Sequence, residues 1–90
     1  MLESTIEKKV TTYSKKLGWL PYKFTSPANR GVCDHLYIRN GEVIFIEYKQ
    51  LGKVPTILQA KVHKTMREHG AKVYVVDSVE AGKELFSSFS

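Results

Sequence analysis

Residues 34–49, DHLYIRNGEVIFIEYK, decide the fold of this chain. Within them the dipeptide Asn40-Gly41 separates two apolar runs, and it favours a type I′ turn because that turn needs positive φ at both central positions. A two-residue loop fixes the register of the hairpin, and counting outward from it pairs Asp34 with Glu47. The sequence therefore predicts two carboxylates directly opposite each other on adjacent strands, with Cβ atoms about 4.5–5.5 Å apart.

These two carboxylates and Lys49, which lies on the same strand face as Glu47, form the candidate catalytic cluster. Like charges opposite each other destabilise a sheet, so we expect a cation between them. Carboxylate oxygens that leave positions open for water and a phosphate oxygen suit Mg²⁺ or Mn²⁺. A lysine beside the metal can orient or deprotonate the attacking water and stabilise negative charge on phosphorus. The cluster therefore indicates metal-assisted hydrolysis of phosphodiester bonds.

A simpler interpretation gives the cluster no catalytic role: Asp34 caps the start of a strand, and Glu47 and Lys49 form a solvated surface pair. The apolar run 43–46, VIFI, argues against it. The side chains that would point to either face of the strand are all apolar in that run, which predicts a central strand covered on both faces. A solvated pair is not expected in such a strand.

Length and composition favour a single domain, residues 1–90, with a polyanionic partner. The chain has 14 Lys and Arg against 9 Asp and Glu, a net charge of +5, which attracts nucleic acid, although an excess of lysine can also serve solubility alone. The single cysteine, Cys33, fits a reducing compartment, and none of the three histidines is obviously placed to activate it as a nucleophile. No apolar run approaches the length of a membrane span, so we expect a soluble cytoplasmic protein.

Periodicity and turn residues predict the remaining elements. In order they are a helix over 4–17, a strand over 19–25 that Pro21 interrupts early, a polar loop over 26–31, strands ending at Arg39 and Lys49, a helix over 56–69, a strand over 72–76 and a helix over 79–86. This order, αβββαβα, predicts a three-layer α/β domain with a mixed four-stranded sheet flanked by helices.

Two helix starts offer structural explanations for residues near the cluster. Residues 4–7, STIE, and 56–59, TILQ, both match the capping-box pattern, so Glu7 and Gln59 can each be explained as capping residues. His63, one turn after Gln59, could border the same groove, although a solvated helix histidine is the preferred interpretation. The core stripe of the second helix is predicted to be Leu58, Val62 and Met66.

The pattern of Asp34, then Glu47-Tyr48-Lys49 after a strand, then Gln59 opening a helix resembles the PD-(D/E)xK nuclease superfamily, with its restriction-endonuclease-like core. Within it the chain is similar to the virus-type replication-repair nuclease domain (VRR-NUC). The similarity covers nearly all of the chain, through IE at 6–7, KFTSP at 23–27, RGV at 30–32, FIEYK at 45–49 and VYVVDS at 73–78. The family usually has proline at the position of Cys33 and often arginine at that of His35.

The resemblance implies a role for each matching residue. Asp34 and Glu47 would be metal ligands, often with the main-chain carbonyl of Tyr48 as a third. Lys49 would be the catalytic lysine. Glu7 would reach the metal directly or through water.

Residues around this centre would act on the substrate. By the resemblance, Gln59 would steer Lys49 or the phosphate. Arg30 beside Gly31 could hold a phosphate, because glycine allows close backbone approach and arginine gives bidentate contact. Lys61, Lys64 and Arg67, at helical spacing, could follow a DNA backbone or form the solvated face of the helix, and Arg30 could equally be a solvated turn residue. The candidate DNA contacts are Arg30, Lys53, Lys61 and Lys64.

We therefore expect a metal-dependent, structure-directed DNA endonuclease. The resemblance implies that it works as a homodimer on branched DNA such as four-way (Holliday) junctions. Candidate aromatics for a dimer interface are Trp19, Tyr22 and Phe89, although a core position is the default for Phe89. One rival is a non-catalytic nucleic-acid-binding domain with the same fold. The other is a restriction-type nuclease of the same superfamily, which would require base-specific contacts.

Overall fold

The computed structural model describes residues 1–89 and has the predicted element order αβββαβα. The elements are α1 (Glu3–Lys16), β1 (Leu20–Lys23), β2 (His35–Arg39), β3 (Glu42–Tyr48), α2 (Ile57–Glu68), β4 (Lys72–Val76) and α3 (Val79–Ser87). Among the described residues, no helix combines the length and apolar character that a membrane crossing requires.

The four strands form one mixed sheet in the order β1-β2-β3-β4. β1, β2 and β3 pair antiparallel, whereas β3 and β4 are parallel, with α2 as the crossover between them. The hairpin has the predicted register, from Arg39 opposite Glu42 to His35 opposite Ile46. Its turn residues, Asn40 and Gly41, have φ of 51° and 79°. Turn chemistry thus decides which side chains of β2 and β3 share a face.

The main core lies between the sheet and the helices α1 and α3. Trp19 meets Phe86 and Phe89 edge to face, each with 5.4 Å between ring centroids. Trp19 is therefore a core residue, which contradicts its assignment to an interface, and Phe89 packs against the core, as its default assignment predicts. α1 and α3 approach closely at Gly82, where an added Cβ would lie 2.8 Å from Cγ1 of Val10. The buried cluster comprises Ile6, Val10, Trp19, Tyr37, Ile44, Ile46, Tyr48, Val76 and Phe86.

Two predictions near the N-terminus were wrong. β1 is shorter than predicted, and Pro21 does not interrupt it but pairs with Tyr37. Proline is tolerated there because β1 is an edge strand, where an N–H can be lost without breaking the ladder. The capping box at residues 4–7 does not form, because Leu2 is the N-cap of α1 and makes no side-chain hydrogen bond. Glu7 is therefore available to contact the sheet.

The other face of the sheet is covered less completely. Of the described α2 residues only His63 is fully buried, while Leu58 is 48% exposed and Val43 on β3 is also exposed. The predicted core stripe of α2 and the predicted full cover over residues 43–46 were therefore wrong. The stripe instead lines an open groove of about 710 Å³ between α2, β3 and the loop at 28–32.

Gly31 holds this loop against α2. Its φ is +85°, and an added Cβ would lie 3.1 Å from Val62 Cγ2, 3.2 Å from the Leu58 carbonyl oxygen and 3.3 Å from Gln59 Cα. Glycine alone combines this backbone conformation with such a close approach. The loop that leads into β2 is therefore packed directly on the first turns of α2.

Candidate active site

The candidate site lies at the C-terminal end of β3, where Glu47 is nearly buried and Lys49 follows the strand. Lys49 Nζ is 3.9 Å from Glu47 Oε2, and His63 Nε2 is 3.5 Å from Glu47 Oε1. Both distances exceed the roughly 2.7–2.9 Å of a charge-assisted hydrogen bond. Burial raises the pKa of Glu47, Lys49 lowers it, and the charge of Asp34 raises it again. The protein therefore compensates this carboxylate poorly, and an added cation would stabilise it.

Asp34 immediately precedes β2, and its carboxylate contacts the buried His35. Asp34 Oδ1 is 2.7 Å from His35 Nδ1, and Glu7 Oε1 is 2.9 Å from His35 Nε2. Neither contact has the alignment of a hydrogen bond. The imidazole thus lies between two acids and links Glu7 of α1 to Asp34 at the edge of the site. Convergence of the Asp34 and Glu47 carboxylates on one ion stays a prediction.

Cys33 and His63 make a buried contact that the sequence analysis missed, with 3.3 Å between Sγ and Nε2. Two predictions were therefore wrong: His63 is not solvated, and a histidine does lie beside the cysteine. The thiol is nevertheless a poor nucleophile, because burial and the charge of Glu47 raise its pKa to about 12. Burial lowers the pKa of His63, which favours a neutral imidazole. The available signal was the position of His63, one turn after Gln59.

Gln59 caps α2. Its side-chain oxygen accepts a hydrogen bond from the Thr56 N–H at 2.9 Å, and its own N–H donates to Thr56 Oγ1 at 3.1 Å, which completes the predicted capping box. Any contact of Gln59 with a phosphate therefore falls to its amide NH₂ group, whereas the Lys49 ammonium, itself a donor, can bond only to the remaining lone pair of the Gln59 side-chain oxygen. Tyr48 is fixed by its side chain, whose hydroxyl lies 2.6 Å from that of Tyr37 in the core.

The predicted DNA contacts lie on exposed surface. Arg30 and Lys61 line the groove between the 28–32 loop and α2. Arg67, which follows Lys61 and Lys64 at helical spacing, instead donates from Nε and Nη2 to the Val73 carbonyl, at 3.2 and 2.8 Å. This guanidinium therefore attaches α2 to β4. The exposed candidates are Arg30, Lys53, Lys61 and Lys64.

Known proteins similar to this chain include a phage protein and a solved domain of the same size. The chain is 42% identical over 77 residues to "Putative nuclease p44" of Acyrthosiphon pisum secondary endosymbiont phage 1, covering 84% of this chain and 83% of that protein. A solved structure described as "VRR_NUC domain" superposes with a TM-score of 0.88 and 27% identity, over 98% of this chain and 97% of the other. No protein-family model matches the chain. Sequence identity and fold together show that the chain belongs to the family of virus-type replication-repair nuclease (VRR-NUC) domains.

Proposed function

We propose that this VRR-NUC chain is a metal-dependent endodeoxyribonuclease that cuts branched DNA such as four-way junctions. The observation that carries the proposal is the poorly compensated carboxylate of Glu47. This residue is only 9% exposed, yet its lysine partner lies 3.9 Å away, beyond hydrogen-bond distance. A buried charge without close partners is costly, and such groups cluster at functional sites. The family supplies the nuclease class, and the metal and the DNA structure are the proposal.

The donor set at the end of β3 fits a hard divalent cation. Asp34 and Glu47 offer carboxylate oxygens and the main chain of Tyr48 offers a carbonyl oxygen, which suit Mg²⁺ or Mn²⁺. Burial and the charge of Asp34 raise the pKa of Glu47, and a dication would relieve both effects. Glu7 belongs to an outer layer, since His35 stands between it and Asp34. When bound, the ion would supply Lewis-acid activation of water and phosphate.

Lys49 is the residue that we assign to the attacking water. Its side chain is 16% exposed, so water screens the ammonium charge only weakly and its interaction with a nearby negative charge is stronger than in bulk solvent. Lys49 orients the water and stabilises the negative charge that develops on phosphorus as the new P–O bond forms and the bond to the leaving oxygen breaks. Gln59, whose side-chain oxygen is engaged in the capping box, would donate from its amide NH₂ group to the phosphate.

The basic residues around the groove would contact the DNA backbone. Arg30 and Lys61 come from the loop and from α2, so together they can bind phosphates on both sides of the groove. Lys53 and Lys64 extend the exposed positive surface. Contacts of this kind recognise the path of the backbone and not the base sequence, which suits a structure-directed enzyme and disfavours a restriction-type specificity.

A homodimer is the proposed assembly, because resolving a four-way junction requires two symmetrical cuts. The segment before and at the start of α2 carries apolar side chains that are unusually exposed for a monomer. Of the aromatics predicted for an interface, Tyr22 remains exposed, at 53%. The exposed apolar residues of the segment are Leu51, Val54, Ile57 and Leu58, at 66%, 77%, 80% and 48%.

Cleavage of a labelled four-way junction and a linear duplex, with and without Mg²⁺ or Mn²⁺, tests the activity. We expect metal-dependent cutting of the junction, its loss in Lys49→Ala with DNA binding retained, and weaker metal binding in Glu47→Gln. Lys16→Ala, an exposed lysine at the end of α1, is the matched control and should keep cutting. Binding without cleavage by the unmodified protein would favour the non-catalytic rival. Sequence-specific cutting of the duplex would favour the restriction-type rival.

Light scattering tests the assembly. Ile57→Glu places a charge in the exposed segment, and an acid in the first helical turn also suits the helix dipole, so the fold should be preserved. We expect a dimer mass for the unmodified chain and a monomer mass for Ile57→Glu. Leu2→Glu, at a residue of comparable exposure before α1, should remain dimeric. A monomer mass for the unmodified chain with and without junction DNA would refute the homodimer.

A further inference from the structure

Cys33, Glu47 and His63 form a second group of potential ligand atoms beside the proposed hydrolytic centre. One atom from each of these side chains lies within 4.8 Å of the other two. Cys33 and His63 are 0% and 1% exposed, so their polar atoms face each other and not solvent. Glu47 is the member that connects this group to the surface, with a side chain that is 11% exposed.

Two of the three spacings in this group are close to those around a tetrahedral metal, and all three ligand atoms lie within 4.8 Å of one another. A zinc ion with a Zn–S bond of about 2.3 Å and Zn–N or Zn–O bonds of about 2.0–2.2 Å separates its ligand atoms by about 3.3–3.6 Å. Here Cys33 Sγ is 3.3 Å from His63 Nε2, and that nitrogen is 3.5 Å from Glu47 Oε1. One sulfur, one nitrogen and one oxygen leave the fourth position for water, as in zinc sites with three protein ligands.

We propose that Cys33, Glu47 and His63 bind Zn²⁺, and that zinc bound there withdraws Glu47 from the hydrolytic metal site. Thiolate and imidazole ligands favour zinc over Mg²⁺, which prefers oxygen, so the two ions select different partners around one shared carboxylate. Zinc is therefore an inhibitor that competes with Mg²⁺ for Glu47. Zinc binding stands independently of the nuclease activity, whereas the inhibition rests on the proposed function.

The protonation states of the group are compatible with this role. In the metal-free protein Cys33 carries its proton and makes a hydrogen-bonding contact with the imidazole. A dication neutralises the charge of Glu47 that opposes the thiolate, and coordination to zinc removes the thiol proton. Binding therefore releases a proton, and zinc affinity rises with pH in the neutral range.

Titration of the DNA-free protein with Zn²⁺ against a chromophoric chelator tests the site, and Co²⁺ provides a spectroscopic substitute. We expect one ion per chain and, with Co²⁺, a near-ultraviolet thiolate-to-metal charge-transfer band. Even outer partners of a metal site change affinity by about 10–100-fold, so Cys33→Ser and His63→Gln should each weaken zinc binding by at least about tenfold. His69→Gln is the matched control, because His69 is an exposed histidine at the C-terminal end of α2, the helix that also carries His63.

Each result decides the proposal. The zinc site would be refuted if the unmodified protein, His63→Gln and His69→Gln bound zinc with equal affinity. A cobalt complex that lacks the charge-transfer band would also refute it. Circular dichroism identifies a variant that has failed to fold. If either Cys33→Ser or His63→Gln is unfolded, the zinc affinity of the other one tests the site. In a separate arm, zinc added at fixed Mg²⁺ should slow junction cleavage by the unmodified protein more than by Cys33→Ser, each relative to its own zinc-free rate. Absence of cleavage in both would refute the proposed function and leave the binding result intact.

Discussion

Gly31→Ala tests whether close backbone packing holds the loop before β2 on α2. At φ of +85° an alanine costs about 1–2 kcal/mol relative to glycine. Its Cβ would also meet two backbone atoms, the Leu58 oxygen at 3.2 Å and Gln59 Cα at 3.3 Å, which cannot move without shifting the helix. Overpacking of this kind adds about 1–3 kcal/mol. We therefore expect Gly31→Ala to lower the free energy of unfolding by about 2–5 kcal/mol.

Gly52→Ala is the matched control. Gly52 has φ of +81°, but an added Cβ meets nothing within 4 Å, so only the backbone cost of about 1–2 kcal/mol applies. Urea denaturation gives the free energy of unfolding of both variants, and a difference of 1 kcal/mol shifts the melting temperature of a domain this small by about 4–8 °C.

The same variants report on the site. Gly31 packs beside Gln59, so Gly31→Ala should also slow junction cleavage at a temperature where the variant remains folded, while Gly52→Ala should slow it less. Equal losses of stability in the two variants would refute the packing argument, because the backbone conformation alone would then account for both.

Three further predictions concern the thiol, the core and the DNA surface. The rise of the Cys33 pKa from 9.0 to about 12 lowers the thiolate fraction at neutral pH about 1000-fold, so iodoacetamide should label the native protein far more slowly than the urea-unfolded chain. In Gly82→Ala the higher helix propensity of alanine stabilises the fold by about 1 kcal/mol, whereas the added methyl group crowds buried Val10 and destabilises the fold by about 1–3 kcal/mol. Thermal melting should therefore show a net loss of about 1 kcal/mol in the free energy of unfolding. If the four exposed basic candidates each bind one phosphate, log affinity for DNA should fall with log salt at a slope of about −3.6, and Lys61→Ala should reduce that slope by about 0.9.

The hairpin was predictable because its information is local. Asn40-Gly41 specifies the turn, the turn specifies the register, and the alternation of side chains then places Tyr37 and Ile44 together in the core. The capping box that starts α2 at Thr56 was predictable for the same reason, since its hydrogen bonds span only three residues.

The surroundings of the site depend on how distant segments pack, which local patterns do not specify. The burial of His63 follows from the docking of α2 against the 28–32 loop, which Gly31 permits, and not from the apolar stripe of the helix. The position of Glu7 follows from the packing of α1 on the sheet, which brings it to His35 across 28 positions of chain. Local patterns offered a solvated helix position for His63 and a capping role for Glu7, but tertiary contacts determine where both side chains lie.

The two edges of the sheet are both protected against strand addition. β1 presents Pro21, which has no N–H for another strand, and on β4 the Arg67 guanidinium occupies the Val73 carbonyl with two hydrogen bonds. A second copy of the chain therefore finds no N–H donor at Pro21, and it would have to displace the Arg67 guanidinium to reach the Val73 carbonyl. Each edge thus opposes strand addition at one position, and the domain gains resistance to edge-to-edge aggregation from the same two residues.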